Sequence, residues 1–394
     1  MFYFFNNIKR KDIFDLVLKA FESNDSSDIK HAVSKLLNFG VCEGITGNLW
    51  KSYLIYTLIF NDNSYTRSIE LKNKEVFDFV LDDLHKYYEL YTMNNSWLNE
   101  VSNFKYFNNK TNVSLAICNI ISKIEDDFES FKNAILDFYS TYGVSDMAIY
   151  KAFRVSDGVL SPIYNVLDVS FDDLIGYDEQ KKLLKENTEF FINGKPYNNV
   201  LLYGDSGTGK STSIKALLNE YYLKGLRIIE VYKHQMAEIS KIINALRTRP
   251  YHYIIYMDDL SFENDEVEYK YLKSIIEGGI EPKPDNVAIY ATSNRRHLIK
   301  ENFTDNGASN LDDLHRNETQ AEKLSLAYRF GLQIYYGSLS AKEFRNMVIE
   351  LAKNNNIDMD EDELIKEASR WELSYGSLSG RCATQFINYL INKA

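Results

Sequence analysis

A glycine-rich segment that ends in a lysine and a serine is the sharpest chemical signal in the sequence. It reads Gly-Asp-Ser-Gly-Thr-Gly-Lys-Ser over 204–211, directly after an apolar run and before an amphipathic stretch. Glycines let the backbone wrap around a phosphate, so that several N–H groups and a helix N-terminus face the anion. In such a segment Lys210 reaches the β- and γ-phosphates and the Ser211 hydroxyl binds Mg²⁺. The segment predicts a nucleotide site formed by Gly204, Asp205, Ser206, Gly207, Thr208, Gly209, Lys210, Ser211 and Thr212.

Polar side chains follow two further apolar runs. Asp258 and Asp259 come directly after one run, and Asn294 follows the next. Ligands bind at the carboxyl ends of the strands in open α/β sheets, so Asp258 fits a magnesium ligand and Asp259 the activation of water. The amide of Asn294 can hold the attacking water against the γ-phosphate. Because Asp, Asn and Ser also favour ordinary turns, a purely structural role is the alternative at both places.

Two arginines complete the candidate set. Arg329 precedes Phe330 and the last apolar run, and Arg381 follows Gly380 at the start of the last amphipathic stretch. A single arginine is usually a solvated surface residue. Their places in the order of motifs make these two candidates for binding phosphate.

The elements that must position these residues change in character near residue 160. Before it, apolar residues recur at spacings of three and four, which predicts helices over 13–21 and 128–142. The run 50–60 is apolar on all sides, as in the central helix of a bundle. A short helix capped by Ser27 is expected to end at Gly40. This region predicts a helical accessory domain held by core aromatics, and a partner groove lined by exposed Tyr and Phe is the alternative.

After residue 160, short runs of β-branched and aromatic residues alternate with longer amphipathic stretches. Strands that alternate with helices form βαβ units and a parallel sheet covered on both faces. The predicted strands are 199–203, 227–231, 253–257, 287–292 and 332–336. Three helices are expected from Ser340 onwards. The expected domains are a helical domain over 1–160, an α/β domain over 161–338 and a helical domain over 339–394.

The composition excludes several classes of protein. The 394 residues carry 45 Lys and Arg against 56 Asp and Glu, a net charge of −11, so no global positive field attracts nucleic acid or anionic lipid. Three cysteines lie far apart without a C-x-x-C pair, which argues against a disulfide framework or a zinc site and favours a reducing cytosol. The longest mainly apolar run, 53–60, is less than half of what spans a bilayer. We therefore expect a cytoplasmic protein without a membrane partner.

The order of the motifs resembles that of the AAA+ ATPases. More narrowly, FDDLIGYDEQ (171–180), DDLSFE (258–263), YATSNRRHLI (290–299) and KLSLAYRFGL (323–332) are similar to a bacterial family of ATP-binding proteins described as a domain of unknown function. The resemblance implies an α/β fold, a P-loop AAA+ three-layer parallel sheet with a C-terminal helical lid, preceded by an all-α N-terminal domain. It also implies ATP and Mg²⁺ as cofactors.

The resemblance assigns roles to single residues. It makes Asp258 the Walker B magnesium residue, Asn294 the first sensor and Arg381 the second sensor, which contacts the γ-phosphate from the lid. Arg329 matches the finger that reaches the nucleotide of a neighbouring subunit, which implies a homo-oligomer. Such a finger accounts for about 10³–10⁵ in rate. The residues that match the segment covering adenine are Leu174, Ile175 and Gly176.

One position departs from the AAA+ pattern. Most members carry Glu directly after the Walker B Asp, whereas this chain has Asp259. The carboxylate of Asp lies about 1.5 Å further back, and a misplacement of that order can cost ~10²-fold in rate. Slow hydrolysis is expected, and Glu263 is the alternative residue for activating water if its loop folds inward.

These features predict an Mg-dependent ATPase that assembles and then remodels or loads an unknown macromolecular partner, a protein in the first instance. One alternative is a nucleotide-controlled scaffold that turns over rarely. Another is a DNA-associated ATPase of the initiator or loader kind, for which the basic cluster beside the site is Arg295, Arg296 and His297. A small-molecule kinase would not require both Arg329 and Arg381. A polypeptide-threading unfoldase is disfavoured because 232–238 lacks an aromatic-apolar-Gly tripeptide.

Overall fold

The chain divides into two compact units, Met1–Tyr150 and Lys151–Ala394. The computed structural model describes residues 2–73, 75–105, 111–262, 268–277, 282–294, 298 and 326–393. In the described part of the chain, no helix combines the length and the apolar character needed to cross a membrane.

The first unit is helical. Its helix α3 is the central helix predicted from the apolar run 50–60: every side chain in it except that of Lys51 is buried. The helices are α1 (Lys11–Ser23), α2 (Ser26–Glu43), α3 (Leu49–Ile59), α4 (Ser64–Glu70), α5 (Asp78–Thr92), a 3₁₀ turn (Ser96–Val101), α6 (Asn112–Ile121), α7 (Phe128–Tyr142) and α8 (Asp146–Ile149).

Helix α2 corrects one expectation about the first unit. Its N-cap is Asp25, whose carboxylate accepts from the N–H groups of Ser27 and Asp28, and the helix continues past Gly40 to end at Gly44. A Cβ at Gly40 would lie 2.7 Å from Leu49 Cδ2. Gly40 therefore permits the close packing of two helices, and it is Gly44, in the left-handed conformation, that ends α2.

The second unit contains a seven-stranded sheet in the order β2-β1-β4-β5-β6-β3-β7. All neighbouring strands are parallel except β1 and β2. The five predicted strands are confirmed as β3 to β7. The bounds are β1 (Ala152–Ser156), β2 (Val159–Pro162), β3 (Val200–Gly204), β4 (Leu226–Glu230), β5 (His252–Met257), β6 (Val287–Ser293) and β7 (Leu332–Tyr336).

The hairpin of β1 and β2 was not predicted, because helical structure was expected up to residue 160. Strand β1 pairs with β4 and so extends the sheet. The turn is Asp157-Gly158, with φ values of 51° and 71°, and an Asp-Gly pair with two positive φ values is a hairpin signal. The expectation of helical structure up to residue 160 was therefore wrong at this pair.

Helices cover the sheet. Side chains of α9 and α10, such as Phe191 and Leu217, share one buried cluster with Leu202 and Ile254, whereas Ile255 is buried on the opposite face. Strands buried on both faces are typical of a three-layer α/β fold. The predicted fold class is therefore confirmed. Among the described residues of the second unit, the helices before the lid are α9 (Asp178–Ile192), α10 (Lys210–Tyr221), α11 (Ile239–Leu246) and α12 (Glu268–Glu277), with 3₁₀ turns at Tyr222–Lys224 and Lys233–Glu238.

Three helices follow β7, as predicted, and form the lid. They enclose their own apolar cluster, which includes Phe344, Leu364 and Phe386. Ile175 and Tyr177, from the segment before α9, pack against this cluster. The lid helices are α13 (Ala341–Asn354), α14 (Glu361–Tyr375) and α15 (Gly380–Lys393).

Candidate nucleotide site

The loop between β3 and α10 is held against β7 by its first glycine. Gly204 has φ 133°, and a Cβ there would lie 2.1 Å from the carbonyl oxygen of Tyr336. Asp205 N–H donates to the same oxygen at 3.0 Å. Any side chain at Gly204 would therefore force the loop away from the strand that supports it. The loop then enters α10 through Gly209, the N-cap residue, whose φ is 94°.

The first turn of α10 provides main-chain donors at the end of the sheet. The first N–H groups of a helix have no partner inside it, and the N-terminus carries partial positive charge. The loop and this turn, over 204–212, are the segment predicted to bind phosphate, and they have the geometry of an anion site.

Lys210 is buried at the start of α10, with 6% of its surface exposed. Its Nζ donates to the carbonyl oxygens of Gly204 at 2.9 Å and Asp205 at 2.6 Å, and to Asn294 Oδ1 at 3.0 Å. Burial lowers the pKa of Lys210, and the nearby carboxylates, Asp205 first among them, oppose this shift. The ammonium group is thus fixed between the loop and the end of β6.

Ser211 and Asp258 come together as a pair of oxygen donors. Ser211 Oγ donates to Asp258 Oδ1 at 2.6 Å, and Thr292 Oγ1 donates to the same oxygen at 2.6 Å. Burial acts to raise the pKa of Asp258, but hydrogen bonds from Ser211 and Thr292 help to outweigh it, and that pKa is lowered. A hydroxyl and an ionised carboxylate are hard oxygen ligands of the kind that Mg²⁺ requires, so the donor set fits the predicted metal.

Asp259 and Asn294 form a second pair beside the first. Asp259 has a left-handed backbone, with φ 49°, and its N–H donates to Thr292 Oγ1 at 2.9 Å. Asn294 Nδ2 donates to Asp259 Oδ1 at 2.8 Å, while the other end of the same amide accepts from Lys210. One amide therefore connects the lysine predicted to bind phosphate to the carboxylate predicted to activate water.

Thr292 was missed by the sequence analysis, although it contacts both carboxylate positions. It lies on β6 two residues before Asn294. Its hydroxyl donates to Asp258 and accepts from the Asp259 backbone. Alternation of faces along β6 puts Thr292 on the same face as Asn294, but its contact with Asp258 also requires the register between β5 and β6.

These residues line a cavity of about 610 Å³ between the sheet and the lid. Leu174 and Ile175 line one part of it together with Met347 and Leu351 of the lid, whereas Gly176 is not among the lining residues. The lining residues are Asp173, Leu174, Ile175, Tyr177, Ser206, Gly207, Thr208, Gly209, Lys210, Ser211, Thr212, Asp258, Asp259, Thr292, Asn294, Met347, Leu351, Gly380, Arg381, Thr384 and Gln385.

The two arginines have different surroundings. Arg381 lines the cavity from the first turn of α15, and its N–H donates to the carbonyl oxygen of Gly207 at 3.1 Å. Arg329 does not line the cavity, and its Nε donates to Glu277 Oε1 at 2.5 Å. A role for Arg329 within its own chain's cavity is thus unsupported, and its role in a neighbouring subunit stays a prediction.

A contact between the loop and the start of the lid was also missed. Ser338 donates to Asp205 Oδ2 from its N–H at 2.8 Å and from its Oγ at 2.6 Å. These bonds lower the pKa of Asp205. Four other predicted residues, Glu263, Arg295, Arg296 and His297, lie outside the described residues.

Comparisons with known proteins bear on the second unit. The family model described as "Protein of unknown function (DUF815)" matches residues 146–394. The chain is 30% identical over 109 residues to the 26S proteasome regulatory subunit 4 homolog of Dictyostelium discoideum, which is 23% of this chain and 25% of that protein. It is 25% identical over 197 residues to the Holliday junction branch migration complex subunit RuvB of Mycoplasmopsis pulmonis, 49% of this chain and 57% of that one.

Solved structures add two RuvB mutants of Thermotoga maritima, each with a TM-score of 0.39 and 18% identity over 56% of this chain and 63% or 64% of theirs. The chain spans between a quarter and little more than half of the curated relatives that it matches. The resemblance to AAA+ ATPases, and to a family of unknown function, is confirmed.

Proposed function

We propose that this chain, which belongs to the DUF815 family of proteins of unknown function, is an AAA+ ATPase that hydrolyses ATP with Mg²⁺ and thereby remodels or loads a macromolecular partner. The observation that carries the proposal is the convergence of Lys210, Ser211, Asp258 and Asn294 on one cavity. Lys210 and Ser211 follow β3, Asp258 follows β5 and Asn294 follows β6, so three distant parts of the chain contribute to the site.

The phosphate end of the site is the loop with α10. In our proposal, Lys210 and the main-chain amides bind the β- and γ-phosphates, and Ser211 with Asp258 hold Mg²⁺. A bound Mg²⁺ neutralises phosphate charge as the bond to the leaving group breaks. Asp258 is suited to this role because its hydrogen bonds lower its pKa and keep it ionised at neutral pH.

The base end of the site is apolar. Leu174 and Ile175 face the same cavity as Met347 and Leu351, and a planar base is bound mainly by apolar contacts with a few polar groups. We propose that adenine binds between these two pairs. Because one pair belongs to the lid, binding of the base couples the lid to the sheet.

Hydrolysis is proposed to be slow. In our proposal Asp259 accepts a proton from water, yet its carboxylate accepts a hydrogen bond from Asn294 at 2.8 Å. A general base must reach the proton that it removes, and the shorter Asp side chain and this bond both oppose that. The same contact favours the second candidate function, a nucleotide-dependent switch that binds ATP and turns over rarely.

Assembly is proposed to complete the site. Arg329 does not line its own cavity, which agrees with a finger that acts in a neighbouring copy of the chain. The interpretation as a DNA-associated loader rests on Arg295, Arg296 and His297, so the described residues add nothing to it.

Isothermal titration calorimetry with Mg-ATP tests the proposal. Lys210→Ala removes a charged donor at the phosphates, and a charge-assisted hydrogen bond is worth about 1.5–3 kcal/mol, so affinity should fall at least roughly 10-fold. Lys224→Ala, at an exposed lysine shortly after α10, is the control and should bind as the wild type does. Absence of heat with the wild-type chain, or equal affinity for Lys210→Ala, would refute a nucleotide site here.

A further inference from the structure

Arg329 is held by a residue for which the proposed function has no role. Its Nε donates to Oε1 of Glu277, the last described residue of α12, at 2.5 Å. The side chain of Arg329 is 20% exposed and that of Glu277 is 44% exposed. We propose that Glu277 is a positioning residue for Arg329, which it orients for the phosphates of a neighbouring copy's ATP. This inference rests on the proposed function, in which Arg329 acts in trans.

The backbone around Arg329 is fixed independently of Glu277. Arg329 N–H donates to Leu326 O and Phe330 N–H donates to Ala327 O, each at 3.2 Å. Phe330 is only 1% exposed, and a Cβ at Gly331 would lie 2.2 Å from Asn198 Oδ1. With the main chain held by these contacts, the freedom that remains in Arg329 lies in its side-chain torsions.

Glu277 restricts those torsions from a fixed position. It lies at the end of α12, a helix anchored by its buried residues Tyr269, Leu272 and Ile275. The guanidinium group is planar and presents its donors in a rigid fork. A carboxylate bound to Nε therefore sets the direction of the whole fork, and Nε is the donor nearest the main chain.

A stabilising role alone does not account for this pair. Ion pairs with partly exposed members contribute little to the free energy of unfolding, because water screens them. Orientation of a finger, in contrast, acts on the transition state of hydrolysis, where a misplacement of about 1 Å can cost ~10²-fold in rate. Removal of Glu277 should thus affect catalysis and leave stability nearly unchanged.

The test compares Glu277→Ala, Glu277→Gln and the control Glu268→Ala, which removes the same charge from the first turn of the same helix. Steady-state hydrolysis gives kcat and KM, calorimetry gives ATP affinity, and thermal unfolding gives Tm. We expect kcat of Glu277→Ala to fall roughly 10-fold, with KM, ATP affinity and Tm unchanged. Glu277→Gln should recover part of kcat, since its amide oxygen still accepts from Nε, and Glu268→Ala should match the wild type.

Arg329→Ala, measured in parallel, separates the inference from the proposed function. If Arg329→Ala suppresses hydrolysis while Glu277→Ala hydrolyses at the wild-type rate or faster, Glu277 does not position the finger and the inference alone is wrong. If Arg329→Ala hydrolyses ATP as the wild type does, Arg329 is not an arginine finger, and the inference about Glu277 is wrong as well. The double variant Glu277→Ala/Arg329→Ala should hydrolyse ATP no more slowly than Arg329→Ala, because Glu277 acts only through the side chain of Arg329.

Discussion

At the scale of the residue, the amide of Asn294 connects two parts of the proposed site, the lysine for phosphate and the carboxylate for water. Asn294 accepts from Lys210 at one end and donates to Asp259 at the other. An ATP γ-phosphate bound near Lys210 would compete for the first of these bonds. Because both bonds belong to one planar group, a change at Lys210 turns the donor that restrains Asp259. In the proposed function, these two bonds link the lysine that would bind phosphate to the carboxylate that would activate water.

Lengthening the side chain at position 259 should accelerate hydrolysis. In Asp259→Glu the carboxylate extends by about 1.5 Å toward the cavity, so we expect kcat to rise by roughly 10-fold or more, within the ~10² that such a displacement is worth. Phosphate release under saturating Mg-ATP measures it, and Asp259→Asn, without a base, is the inactive reference. A wild-type kcat already typical of fast ATPases, or no gain in the Glu variant, would contradict this account.

The grouping of the candidate residues in one cavity could be predicted from the sequence because it depends on local patterns. Lys210, Ser211, Asp258 and Asn294 each stand beside a strand end, and parallel strands bring such ends to one edge of a sheet. Thr292 was not predicted because its contacts with Asp258 and Asp259 depend on the register between β5 and β6, in which Met257 lies opposite Ala291. Register is a property of paired strands, and single-strand patterns do not contain it.

At the scale of the element, the residues between β7 and the lid connect three parts of the site. Ser338 binds the Asp205 carboxylate with two donors. Tyr177 donates from its hydroxyl to Gly337 O at 2.8 Å, and its ring stacks on that of Tyr336. These contacts join the loop between β3 and α10, the segment before α9 and the first residues after β7.

This junction should weaken in acid. The hydrogen bonds from Ser338 lower the pKa of Asp205 in the folded chain, so on acidification the unfolded chain binds its proton first. The stabilisation of the folded chain by these bonds is therefore fully present above the ordinary Asp pKa of about 3.9. It is lost as pH falls through the lower, folded value. The Tm difference between wild type and Asp205→Asn should therefore shrink below about pH 4.

Thermal scans from neutral pH to about pH 3.5 provide the measurement. Asp172→Asn, at an exposed aspartate in the same unit, is the control, and its Tm difference from the wild type should not follow the same course. A Tm difference for Asp205→Asn that stays constant across this range would show that Ser338 does not stabilise the ionised carboxylate.

In the second unit, the hairpin at one edge of the sheet was harder to predict than the other five strands. Strands β3 to β6 are mostly buried, β7 has mixed burial, and all five follow the alternation of strands and helices. The edge hairpin of β1 and β2 has mixed burial, so its apolar pattern is weak. The Asp157-Gly158 turn indicates the hairpin more clearly than the two strands do, because side-chain composition at a sheet edge depends on solvent as much as on packing.

At the scale of the whole molecule, the function of the first unit could not be predicted from sequence motifs. Its core is aromatic, as predicted, with Trp50, Tyr53 and Phe39 almost fully buried. It also carries Tyr3 and Phe79 at 55% and 56% exposure, with ring centroids 4.9 Å apart. Surfaces that bind macromolecules have no required spacing in the sequence, so neither the partner nor the task of this unit could be predicted.

Assembly can be tested by mixing two inactive variants. Lys210→Ala should not bind ATP but keeps Arg329, whereas Arg329→Ala binds ATP but lacks the finger. In a mixed oligomer the intact site of one subunit lies beside the intact finger of the other, so hydrolysis should exceed the sum of the separate rates by roughly 10-fold or more, within the 10³–10⁵ that a finger supplies. The gain should depend on protein concentration, because it requires association.

The double variant Lys210→Ala/Arg329→Ala, mixed with Arg329→Ala, is the matched control and should stay inactive, since neither chain then carries a finger. Complementation in the first mixture but not in the second would assign the phosphate site and Arg329 to different subunits of one catalytic centre. Without complementation, although both variants still assemble with the wild type, Arg329 would have to act in its own chain. In that case its contact with Glu277, rather than a neighbouring nucleotide, would define its role.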